Sequence, residues 1–307
     1  MNRRPAAAAT ALAAVVALVL AGCSGAAQTP SEPEGILATI TTPPPSPTRG
    51  PRPEGAPTPT ATSTTQAPPT GWYLALGDSL AAGNQPGGDQ KERGYAGPVL
   101  DGLRKSAPDT QLKNLGCSGE TTSTMLRGGI CSYPERNQVA AAVAFLKANA
   151  DNIRLVTLDI GANNVLTCAQ ATIDTACGTR NTAAVAKELT PILAQIRAAA
   201  PKAPIVVLTY YNPLLAAWRT GPDGQKYAQQ SQPLLAALNA EITKAAKPVS
   251  AKVADIAATF ATNTTSGSPQ PTNVKRICDW TWMCSKDDIH ANDAGYAQMA
   301  RAVLAAR

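Results

Sequence analysis

Trp72-Tyr73-Leu74-Ala75-Leu76-Gly77-Asp78-Ser79-Leu80 is an apolar run that breaks at a glycine followed by two small polar residues. The run is too short for a core helix and shows no polar alternation. It therefore reads as a strand buried on both faces, ending in turn chemistry. A strand of that kind requires strand neighbours on either side and cover above and below, so the rest of the sheet has to be found downstream.

Leu112 to Leu115, Leu155 to Ile160, Ile205 to Tyr210 and Val253 to Ile256 are runs of the same character. Between them, residues Tyr95 to Ser106, Asn137 to Asn149, Thr182 to Ala200 and Gln225 to Ala246 carry Ala-rich helical patterns, and Asp293 to Ala305 closes the chain with another. Strand and helix in alternation predict an α/β fold, a three-layer α/β/α sandwich around a parallel sheet of about five strands. In such sheets chemistry sits just past the carboxyl ends of the strands.

Upstream the chain changes character. Of 26 prolines, 12 lie between Ser24 and Thr70 among Thr, Ser and Gly, a composition that lacks the apolar residues needed to offset ordering entropy. The globular domain is expected over 71–307. Arg3 and Arg4, the apolar run from Pro5 to Leu20 and the small residues Ala21 and Gly22 form an export signal over 1–22. Leu20-Ala21-Gly22-Cys23 resembles a bacterial lipobox, which predicts acylation of Cys23 and anchoring to the membrane from outside the cytoplasm. Residues 23–70 then read as the acylated cysteine and a semi-rigid Pro/Thr-rich tether.

The net charge of +6 is scattered, with no basic cluster of the kind that tracks a nucleic-acid backbone. Besides Cys23 there are six cysteines, an even number that in an exported chain predicts disulfides. Pairing neighbours in sequence gives Cys117–Cys131, Cys168–Cys177 and Cys278–Cys284. With a single histidine and no Cys-x-x-Cys spacing, no metal site is expected, and no cofactor motif is present.

Four short blocks fall where catalytic loops belong. Gly77-Asp78-Ser79-Leu80 follows the first strand, Asn114-Leu115-Gly116-Cys117-Ser118-Gly119 the second, and Gly161-Ala162-Asn163-Asn164 the third. Asp287-Asp288-Ile289-His290 precedes the last helix. A serine hydroxyl is a poor nucleophile until a base takes its proton. Ser79, on a strand-to-helix turn at a positive helix end, is the candidate nucleophile and His290, the only histidine, the candidate base. Asp287, three residues earlier, is expected to reach the imidazole across a helical turn and fix its tautomer. The backbone N–H groups of Ser79 and Gly116 and the side-chain amide of Asn163 are the expected oxyanion donors.

In this order the blocks resemble the SGNH/GDSL hydrolase family, over Trp72 to Arg307. The resemblance implies a flavodoxin-like fold and hydrolysis of esters, which in different members are lipids, acetylated sugars or thioesters. It carries the nucleophile onto Ser79, the oxyanion donors onto Gly116 and Asn163, and the Asp-x-x-His pair onto Asp287 and His290. Two positions depart from the family pattern: Asn164 stands where Asp is usual, and Asp288, where a small residue is common, rivals Asp287. Ala81 occupies the second glycine position of a Gly-x-Ser-x-Gly elbow, which argues against an α/β-hydrolase.

Read singly, Ser79 would serve as a helix cap and Gly116 and Asn163 as turn residues. Trp280, Trp282 and Met283 either line an acyl or sugar pocket or cover the Cys278–Cys284 loop. The function expected is that of a lipid-anchored, monomeric serine esterase or lipase without cofactor. Its substrate would be a lipid, a small acyl ester or an acetylated glycan. The alternatives are a deacetylase of envelope polysaccharide and a catalytically silent surface-binding lipoprotein; the last would have lost Ser, Asn or His, and none is lost.

Overall fold

The first apolar run forms strand β1 (Trp72–Gly77), buried along its length apart from half-exposed Trp72. The computed structural model describes residues 71–307, so the expected signal segment, Cys23 and the tether lie outside the described residues. Four more strands follow: β2 (Gln111–Asn114), β3 (Ile153–Asp159), β4 (Ile205–Leu208) and β5 (Lys252–Ala254). All neighbours are parallel, in the order β2-β1-β3-β4-β5. Burial explains the order. The Ile-Val-Val-Leu of β4 is wholly buried, as a strand covered on both faces must be, while Gln111-Leu112-Lys113-Asn114 alternates and takes an edge.

The helices are α1 (Ala96–Arg104), α2 (Thr122–Arg127), α3 (Gln138–Ala148), α4 (Ala162–Leu166), α5 (Thr175–Ala199), α6 (Pro222–Ala246), α7 (Ile256–Thr259), α8 (Thr272–Trp280), α9 (Met283–Lys286) and α10 (Asp293–Ala306). One layer sets α10 against α1, α7 and α8; the other sets α5 against α3 and α6. Leu74, Leu76, Val156, Leu158, Val206 and Val207 fill the interior between the two layers, each at most 1 % exposed. None of the described helices is long and apolar enough to cross a membrane.

The structure differs from the sequence expectation in several places, the short helices α2, α4, α7 and α9 among them. Helix α5 starts at Thr175 rather than Thr182, because Asp174 caps it by accepting from the Cys177 N–H at 2.9 Å. Helix α8 was not foreseen: only Val274 and Ile277 mark its buried face, a signal too short for periodicity to detect. Ser79 does not stand at a helix end either. Its turn closes on itself, with Ala82 N–H donating to the Asp78 carbonyl at 3.0 Å and Asn84 N–H to the Ser79 carbonyl at 2.9 Å. Helix α1 begins only at Ala96, so the helix-dipole argument at Ser79 falls away.

The chain runs from β1 out to β2 and returns past β1 to β3. The order of strands therefore reverses between β1 and β3, and a crevice opens beyond their carboxyl ends.

Candidate active site

The residue that ends β1 has to be glycine. Gly77 has φ +135°, and a Cβ there would lie 2.0 Å from the Asp159 carbonyl oxygen. The close approach lets Asp78 N–H donate to that carbonyl at 3.0 Å, which carries the β1–β3 ladder one step beyond the strand. Gln138 of α3, fully buried, grips the same peptide from the other side. Gly77 N–H donates to its Oε1 at 2.7 Å, and its Nε2 donates to the Gly77 carbonyl at 2.9 Å. Ser79, 9 % exposed, thus leaves a fixed strand end.

His290 comes from the loop between α9 and α10 and lines the same cavity as Ser79. The expectation that Asp287 orients it is overturned by the geometry. Asp287 is the C-cap of α9 in the left-handed region (φ 52°, ψ 35°), and its exposed side chain is not the partner of the ring. Asp288 Oδ1 lies 2.6 Å from His290 Nδ1 and accepts the His290 backbone N–H at 2.9 Å. Burial pushes the Asp288 carboxyl up, but the two hydrogen bonds from His290 outweigh it and hold the group below the usual carboxylate range. The bonded carboxylate and imidazole thus belong to a contiguous Asp-x-His turn, not to an Asp-x-x-His helical pair. Among the described residues no hydrogen bond joins Ser79 to His290, a contact that often tightens only with substrate bound.

The second correction concerns Gly116. Its N–H donates to Asn114 Oδ1 at 2.8 Å, and a Cβ there would meet Ala82 N at 2.5 Å, so Gly116 packs beneath the Ser79 turn with its donor already used. The glycine three residues on is placed differently. Gly119 has φ +84°, and its N–H meets no acceptor among the described residues. Asn163 Nδ2 donates to the carbonyl of the next residue, Glu120, at 2.8 Å, so Gly119 lies beside the Asn163 amide. Ser79 N–H likewise meets no acceptor among the described residues. Ser79 N–H, Gly119 N–H and the second Asn163 amide hydrogen have no acceptor among the described residues. Asn164 braces this loop: its Oδ1 accepts from Thr122 N–H and its Nδ2 donates to Thr122 Oγ1, both at 3.1 Å. Because the Thr122 hydroxyl already donates to Glu188 Oε2 at 2.7 Å, an amide makes both bonds where a carboxylate would make one.

Sequence reading missed the polar layer underneath. Asp78 and Asp159, at most 1 % exposed, lie together below Ser79 with Tyr95 and Tyr210. Tyr210 donates to Asp78 Oδ2 at 2.6 Å and Tyr95 to Asp159 Oδ1 at 2.5 Å. Burial raises the pKa of both carboxyls, well above the ordinary value at Asp159. The one available signal was an aspartate, Asp159, ending an otherwise apolar central strand.

The cavity against Ser79 and His290 measures about 30 Å³ and is walled by Leu80, Ala162, Leu166, Tyr211, Pro213, Leu235 and Ile289. Trp280, Trp282 and Met283 do not line it. Trp282 instead ties down the histidine loop, its N–H donating to the His290 carbonyl at 2.9 Å and its indole to Gln85 Oε1 at 3.2 Å. Trp280 packs edge-on against Phe260, which stacks on Tyr211. Disulfides join Cys117 to Cys131, Cys168 to Cys177 and Cys278 to Cys284. Each lies beside one of the loops above, and three bridges together mark an extracytoplasmic protein. No group of metal-binding side chains occurs among the described residues.

The sequence pattern of the GDSL-like Lipase/Acylhydrolase family matches residues 75–298. No curated protein matches the chain. Among solved structures it is similar to phospholipase A1 from Streptomyces albidoflavus NA297, at 24 % identity and TM-score 0.52, covering 78 % of this chain and 100 % of that one. It is also similar to the extracellular lipase of Streptomyces rimosus, at 20 % identity and TM-score 0.52 over 78 % of this chain and 100 % of that one. A third, the lipase Lip_vut3 from a goat rumen metagenome, has 19 % identity and TM-score 0.54 over 77 % and 97 %. These likenesses establish a shared fold.

Proposed function

Since this chain belongs to the GDSL-like lipase/acylhydrolase family, we propose that it is an exported, lipid-anchored serine esterase with Ser79 as nucleophile, His290 as base and Asp288 as orienter. The observation that carries the reading is the pairing at His290. With Nδ1 held by Asp288 at 2.6 Å, Nε2 is left as the basic nitrogen of a ring that shares its cavity with Ser79.

In the first half-reaction Ser79 Oγ attacks the ester carbonyl carbon and its proton passes to His290 Nε2. The carbonyl oxygen becomes an oxyanion facing Ser79 N–H, Gly119 N–H and Asn163 Nδ2. Collapse breaks the ester C–O bond, and His290 returns the proton to the departing alcohol. Water then attacks the acyl-serine, again losing its proton to His290; collapse breaks the bond between the acyl carbon and Ser79 Oγ, and His290 returns the proton to Ser79 as the acid leaves. Asp288, kept ionised by its bonds to His290, stabilises the imidazolium formed in each half.

The apolar wall beside Ser79 fits an acyl group, and a domain tethered outside the membrane is well placed for the second reading, removal of acetyl groups from envelope polysaccharide. Chain organisation supports either role: a signal over 1–22, acylation at Cys23, a tether to residue 70 and the hydrolase domain over 71–307. The test is hydrolysis of chromogenic esters of rising acyl length by residues 71–307 purified under oxidising conditions, beside Ser79→Ala. Activity lost in the variant supports the mechanism, and a preference for acetyl supports the second reading. A folded, oxidised domain inactive on every ester and on acetylated glycan would overturn both. Cys23→Ser in the full chain is expected to release the protein from membranes; retention would overturn the anchor.

A further inference from the structure

Asp78 and Asp159 are more than buried polar groups, because the donors that hold them come from the backbone around Ser79. Asp159 Oδ2 accepts the Asp78 N–H at 3.3 Å and the Ala81 N–H at 3.2 Å, one on each side of the serine. Its backbone carbonyl accepts Asp78 N–H as well, at 3.0 Å. Asp78 Oδ1 accepts Leu80 N–H at 3.0 Å, which folds the turn around Ser79. The residue at the end of β3 therefore sets the conformation of the turn after β1.

We propose that Asp159 is a positioning residue for Ser79: at neutral pH it remains a neutral carboxylic acid beside the Asp78 carboxylate, and so fixes the nucleophile's turn next to a single negative charge. The proposal rests on the reading of Ser79 as nucleophile.

The charges around the pair require one of the two carboxyls to be neutral. No lysine, arginine or histidine forms an ion pair with either carboxyl among the described residues. Two carboxylates side by side, dry and without a cation, cannot both stay ionised. Tyr73, Tyr95, Tyr210, Tyr211 and Tyr296 face the pair from β1, the approach to α1, the end of β4 and α10, and burial raises the pKa of every one, so they remain neutral phenols. The other charged neighbours face Asp78. His290 favours its ionised form, and Glu120 is the acidic neighbour, its own pKa raised first by burial and in part by Asp78. Burial raises both carboxyls, and Asp159 the further of the two, so the charge rests on Asp78 and the proton on Asp159. Deprotonating Asp159 would add a second charge and push the turn apart.

The test is the pH profile of kcat/KM for wild type and Asp159→Asn, with infrared difference spectra in the carboxylic-acid carbonyl region. Asn is a neutral isostere that cannot ionise, so this variant is expected to lose the alkaline fall of the wild type. The wild type is expected to show a protonated carboxylic acid at neutral pH that is missing from Asp159→Asn. A wild type without that band, a band that persists in the variant, or an unchanged alkaline fall would each overturn the proposal. Should Asp159→Asn fold poorly, Tyr95→Phe keeps it falsifiable. Loss of the phenol bond is expected to shift the wild-type alkaline limb, and an unmoved limb overturns it. Ser79→Ala separates the two readings. It should retain the band without turnover, whereas turnover by Ser79→Ala would remove the nucleophile assignment and leave the protonation result standing.

Discussion

Asp287 and Asp288 are adjacent, yet only one has its carboxylate on the imidazole. Replacing Asp288 by Asn is expected to leave the fold intact and lower kcat by about 10²–10⁴, the range for a lost orienting carboxylate, while Asp287→Asn changes kcat by less than about twofold. Kinetics of the two variants side by side checks this. The two glycines of the second loop should separate in the same way. Gly119→Ala strains a left-handed residue and displaces a free N–H, with an expected loss of about 10²–10³ in kcat. Gly116→Ala drives a methyl into the backbone at Ala82 and should appear first as a lower Tm. Spacing identified Ser79, Asn163 and His290 as candidates because each closes a strand or precedes a helix. It failed at Asp287 and Gly116 because the deciding facts, a left-handed cap and an N–H already bonded to Asn114, are properties of the local backbone.

At the scale of elements, the histidine loop is delivered by α8 and α9, joined through Cys278–Cys284. Trp282 N–H and Tyr211 Oη hold it by donating to the carbonyls of His290 and Ile289. Changing both cysteines to serine is expected to cost about 2–3 kcal/mol on the chain-entropy view, small beside a domain core. Activity should therefore fall while the far-ultraviolet dichroism stays native; simultaneous loss of both would show that the bridge holds the fold rather than the loop. Strands were legible because β1, β3 and β4 are covered on both faces and need continuous apolar runs. Helices set by caps or by two buried residues, such as the start of α5 and all of α8, were not.

Across the whole molecule the buried acids tie stability to pH. The pKa of Asp159 in the folded chain is raised, so the native state binds a proton that the unfolded chain releases above the usual aspartate range of about 4. Its contribution is fully present below that value and is lost as pH rises toward the folded pKa. Asp288 has the opposite sign: its folded pKa is depressed, so its contribution is present above about 4 and lost as pH falls. Relative to wild type, Asp159→Asn should accordingly gain in Tm as pH rises from about 4 to 7, a trend that calorimetry at several pH values would measure. A Tm difference that shrinks over that range would contradict the assignment. The lone imidazole has a consequence for any such titration. Because the sequence contains one histidine and that ring is bonded to Asp288, every histidine signal in a magnetic-resonance spectrum reports on this crevice, without assignment or isotope labelling. The protein carries its own indicator dye.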